Sequence, residues 1–101
     1  MYFKELKDTI ENMTSADYKE RFVAEYWQTK IRYEKLKDFC NKIEAAYIMG
    51  SVGKHITEPQ HDCPLDMLRE QQGAMGAYLS ILEKRAIIEG IYVGGIHSND
   101  Q

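Results

Sequence analysis

A chain of 101 residues with 13 basic and 16 acidic side chains, net charge −3 and pI near 5.6, is sized for one domain with a modest buried core. Mild acidity disfavours nucleic-acid binding through a broad basic surface. No stretch approaches the roughly 20 apolar residues of a membrane span, and the charged opening MYFKELKDTIENM lacks the apolar centre of an export signal.

The expected location is therefore the cytoplasm, where the two cysteines stay as thiols or act as metal ligands. A small core also invites support from a metal or from a partner subunit.

Phe3, Leu6, Ile10 and Met13 recur at steps of three and four, which predicts a short helix over about 2–13. Thr14 with Asp17 three residues on has the form of a capping box, so a second helix is expected from about 15. In that helix Phe22, Tyr26, Thr29, Tyr33, Leu36, Cys40, Ile43 and Tyr47 alternate steps of four and three, the pattern of a coiled-coil seam. Val23, Trp27, Ile31 and Phe39 widen it into a second stripe, which implies two neighbours, one of them a candidate second copy of the chain. Glu20, Lys30, Lys35 and Lys37 fall opposite and read as a solvated face.

After Tyr47 the period fails. Gly50, Gly53, Pro59 and Pro64 predict a loop over about 48–63. Pro64 suits the first position of a third helix over about 64–89, with Cys63 as its N-cap. Leu68, Gln72, Met75, Leu79, Leu82 and Ala86 form its heptad seam, Tyr78, Ile81 and Ile88 flank it, and Gly73 and Gly76 mark a close helix crossing. Gly90 is the expected stop, followed by a brief extended piece at Ile91–Val93 and a frayed tail within 90–101. The predicted architecture is all-α: one domain over 1–101, a short N-terminal helix plus two long antiparallel helices in a hairpin joined by a long Gly/Pro loop, and an oligomer of such chains.

Two groups of residues carry chemistry. Cys40, His55, His61 and Cys63 supply the soft and borderline ligands that zinc takes, and a structural zinc would pin a loop with no packing of its own. Their spacing departs from a zinc finger: one residue separates His61 from Cys63, and Cys40 lies on the preceding helix. The plainer reading makes Cys40 a core residue, Cys63 a cap and the histidines solvated. No catalysis is expected, since a Cys63 nucleophile with a histidine base lacks an orienting third residue and an oxyanion site.

The second group is aromatic. Tyr18, Trp27, Tyr78 and Tyr92 are candidates to stack on a nucleotide base or to anchor a protein interface, against the alternative that aromatics at helical spacing form core. Arg69, Lys84 and Arg85 are available as phosphate donors.

The run CPLDMLREQQGAMGAYLSILEKRAIIEGI, with FVAEYWQTKIRYEKLKDF upstream, resembles a family of small phage proteins named after a crAss-like phage. The features that carry the resemblance are Glu25, Tyr26, Arg32, Glu34, Lys35 and Leu36, the turn Cys63–Pro64, and Gln71, Ala74, Met75, Tyr78, Leu79, Leu82, Glu83, Arg85 and Ala86. They span about half of the chain; the N-terminal segment and the histidine-containing loop have no counterpart among them.

The resemblance implies a phage or prophage origin, location in the cytoplasm of the bacterial host, and antagonism of host defence. Its concrete form is an anti-CRISPR protein that blocks a CRISPR effector nuclease by protein contact, without touching nucleic acid. The alternatives are an oligomeric sponge that sequesters a cyclic-nucleotide immune messenger, and a structural phage protein.

Overall fold

The computed structural model describes residues 3–94; the predicted frayed tail beyond them lies outside the described residues. Among these, all regular structure is helical. A 3₁₀ turn, Leu6–Thr9, runs into the one-turn helix α1, Ile10–Met13; the long helices α2, Tyr18–Ser51, and α3, Leu65–Glu89, follow.

α2 begins later than the Thr14 box suggests. Thr14 turns its hydroxyl back to the Ile10 carbonyl at 3.0 Å, closing α1, while Asp17 is the N-cap, its carboxylate accepting from the Lys19 amide at 2.9 Å. Aspartate is among the strongest N-caps and complements the helix dipole. The helix also continues through Gly50 to Ser51, beyond the expected end at 47. Gly53, not Gly50, makes the left-handed turn, at φ 81°.

At the far side of the loop Pro64 occupies the N-cap position and Leu65 is the first helical residue. Cys63 is therefore one residue short of the cap predicted for it. Pro64 has no amide hydrogen to lose, and its carbonyl accepts from Met67 and Leu68 at 3.1 Å each. α3 ends at Gly90, φ 68°, and the Ile91 amide reaches back to the Ala86 carbonyl at 2.8 Å in a Schellman-type closure.

The pairing of α2 with α3 is antiparallel. Tyr18 meets Glu89, Tyr26 meets Glu83 at 3.0 Å, and Glu44 and Asn41 meet Arg69. Of the two expected crossing glycines only Gly76 is tight: a Cβ there would stand 3.3 Å from the Tyr33 ring, whereas one on Gly73 would meet nothing within 4 Å.

The principal core sits at one end of this hairpin. Phe22, Val23, Tyr26, Trp27 and Ile31 of α2, Leu79, Leu82 and Ala86 of α3, Phe3 from the N-terminal segment, and Ile91 and Val93 after α3 pack together. The other end of α2 buries Cys40, Ile43 and Ala46. The molecule is elongated, 53 × 30 × 21 Å with a radius of gyration of 16.9 Å, where a compact chain of this length has about 13 Å.

Candidate functional site

Trp27 organises the end of the molecule where the principal core lies. Although its position invites partner stacking, it is 3% exposed. Its indole N–H donates to the Val93 carbonyl at 2.7 Å, and Phe3 and Tyr26 stand edge-on to it with ring centroids at 6.0 and 5.5 Å. The segment carrying Phe3 is fixed by two polar devices. The Asp8 carboxylate accepts the Lys4 and Glu5 amides at 3.1 and 3.0 Å, folding the chain over itself. Buried Thr9 donates to the Leu6 carbonyl at 2.8 Å and accepts from the Gln28 side chain at 2.8 Å, which fastens the 3₁₀ turn to α2.

Laying that segment across α2 leaves a concavity of about 300 Å³, lined by Phe3, Lys4, Trp27, Lys30, Ile31, Glu34 and Lys35. Its floor is aromatic and aliphatic, and its rim carries three lysines against one glutamate. Glu34 is shared, lying 3.6 Å from Lys30 and 3.4 Å from Lys37. Lys4 and Lys35 have no ion-pair partner among the described residues. The rim is thus suited to an anion and the floor to an apolar or aromatic group. A second concavity of about 250 Å³ lies between Asn12, Lys19, Glu20, Val23, Gly90, Ile91 and Tyr92, with balanced charge.

The lysine-rimmed concavity was not legible as a site. Lys30 and Lys35 read as a solvated face, and the only signal was their placement near Trp27 on one helix; nothing in the periodicity brings Phe3 and Lys4 onto them. The arginines available as phosphate donors are committed elsewhere. Arg69 donates to Gln72, Asn41 and Glu44, and Arg85 donates to Glu89 at 2.7 Å while its guanidinium covers the Phe22 ring at 4.9 Å. Lys84 is exposed on α3.

Of the other aromatic candidates, Tyr18, Tyr78 and Tyr92 are exposed. Tyr18 donates its hydroxyl to Glu89 at 2.7 Å; that bond raises the phenol's pKa. Hydrogen bonds from Arg85 and Tyr18 in turn lower that of Glu89. Burial, reinforced by Glu83, raises that of Tyr26.

The structure does not assemble the four zinc candidates. Among the described residues no three His, Cys, Asp or Glu side chains gather as a metal group. Cys40 is fully buried in the hairpin. His61 is engaged at both nitrogens, with Nδ1 2.7 Å from the Cys63 carbonyl and Nε2 2.7 Å from the Glu58 carboxylate, and Phe39 edge-on to its ring. A carbonyl and a carboxylate only accept, so the arrangement favours imidazolium, in which both nitrogens donate. The bond to Cys63, then that to Glu58, raises the His61 pKa above its ordinary 6.5.

A raised folded-state pKa contributes stability that is complete below 6.5 and lost as pH climbs through the folded value. The difference in melting temperature between wild type and His61→Ala is therefore expected to be larger at pH 5.5 than at pH 8.5. Equal differences at the two pH values would mean that the imidazolium clamp does not operate.

A family model described as Sequestin matches residues 16–88, covering all of α2, the loop and nearly all of α3. No curated protein and no solved structure matches the chain significantly. Among the described residues no helix is long and apolar enough to cross a membrane.

Proposed function

We propose, from the premise that this chain belongs to the Sequestin family, that it sequesters a small anionic ligand, and that the ligand is a nucleotide messenger of bacterial immunity. The family name speaks of sequestration. It supports the sponge reading more than contact inhibition of a CRISPR nuclease, the form that the phage-protein resemblance brought forward. The observation that carries the proposal is the concavity beside Trp27, where Lys4, Lys30 and Lys35 surround an apolar floor. Phosphate oxygens meet the ammonium groups, and a base or sugar face lies against Phe3 and Ile31. A volume of about 300 Å³ is at the small end of ligand pockets, so it takes one nucleotide unit rather than an extended chain.

The test is calorimetric titration and thermal shift of the full chain with cyclic mono- and dinucleotides, with inorganic phosphate as the control. At a free ligand concentration of 100 Kd, binding is expected to stabilise the fold by about 2.7 kcal/mol. Lys35→Glu, at an exposed position without an internal partner, is expected to weaken binding tenfold or more while leaving the ligand-free melting temperature unchanged. If no nucleotide shifts the midpoint, sequestration at this site is refuted, and contact with an effector protein becomes the reading to pursue.

A further inference from the structure

α3 carries a second heptad seam beside the one that packs on α2. Met67, Gln71, Ala74, Tyr78, Ile81, Arg85 and Ile88 alternate steps of four and three along that flank, where Arg85 also covers the Phe22 ring of α2. They stay exposed: Met67 and Ile81 are each 55%, Tyr78 40% and Ile88 81% accessible. The seam that faces α2, by contrast, buries Leu79, Leu82 and Ala86.

We propose that this second seam of α3 is the contact between two copies of the chain, packed antiparallel about a two-fold axis near Ala77. The charges beside the seam select this arrangement. Glu70 and Lys84 lie on the same flank as Ala77, seven residues before and after it; both are exposed and neither has an ion-pair partner among the described residues. An antiparallel two-fold there sets Glu70 of each copy opposite Lys84 of the other, twice over. The same register places Tyr78 against the small Ala74 of the second copy, Ile81 against Gln71, and Met67 against Arg85. Parallel packing in register would instead stack Arg85 on Arg85 and leave Glu70 beside a methionine.

Sedimentation and light scattering of tag-free protein are expected to give a dimer or an even multiple of it. Glu70→Lys alone and Lys84→Glu alone are each expected to weaken association at least tenfold, and the double variant to restore it. Because neither side chain has an internal partner, circular dichroism of the single variants should match wild type. Ala77→Cys in a Cys63→Ser background is expected to cross-link to itself on oxidation, whereas Asp38→Cys on α2 is not. A monomer at all concentrations, or a double variant as weak as the singles, overturns the proposal.

Discussion

Trp27→Ala is expected to lower the free energy of unfolding by about 3–5 kcal/mol, the usual range for truncating a buried large aromatic. Three layers meet on this side chain: Phe3 from the N-terminal segment, Tyr26 on its own helix, and Val93 after α3. Truncation opens a cavity beneath Phe3 and strips the donor from the carbonyl of Val93, itself fully buried. An orphaned buried acceptor costs about 1–3 kcal/mol, so the loss belongs in the upper half of the range. Trp27→Phe is expected to cost less than the alanine variant, since it keeps a ring in the core while losing the N–H donor and part of the indole volume. Urea unfolding followed by circular dichroism reads both variants. A loss below 1 kcal/mol for the alanine variant would show that the N-terminal layer does not pack on α2 through this indole.

Leu82→Ala is expected to cost about 2–5 kcal/mol, as for other buried leucines. Leu82 is 1% exposed between α3 and the aromatic row of α2. Five residues on, Ile87 is 61% exposed, and Ile87→Ala should stay within about 0.5 kcal/mol of wild type. The two substitutions remove comparable apolar volume from one helix, so the contrast isolates burial from composition. Equal losses would mean that α3 does not turn its Leu82 face to α2 and its Ile87 face to solvent.

The helical hairpin was readable because its evidence is local and periodic. Alternating steps of four and three named Phe22, Tyr26, Cys40 and Ile43 on α2, and Leu79, Leu82 and Ala86 on α3, as inward-facing residues, and all are buried. The pattern overreached at Tyr47, which satisfies the spacing yet is exposed, because it lies near the end of α2, past the contact of Glu44 with Arg69 in the first turns of α3. Cap positions were harder. Several polar residues compete within one turn, and Asp17 displaced the Thr14 start while Pro64 displaced Cys63.

The site was illegible for a different reason. Phe3 and Lys4 reach Lys30 and Lys35 through a fold of the N-terminal segment that rests on the Asp8 and Thr9 side-chain bonds, and no repeat in the sequence reports such a bond. The zinc candidates illustrate the converse: the right ligand types occur, but His61 finds its partners within its own loop and Cys40 turns into the hairpin.

The hydrogen bond from Trp27 to Val93 joins residues 66 positions apart, and Phe3 covers the same indole from the other direction. During synthesis on the ribosome, α2 emerges long before its closing partner does. The indole therefore waits with one side open until the residues after α3 leave the exit tunnel, and the lysine-rimmed concavity that rests on it takes its final shape only as translation of this region finishes.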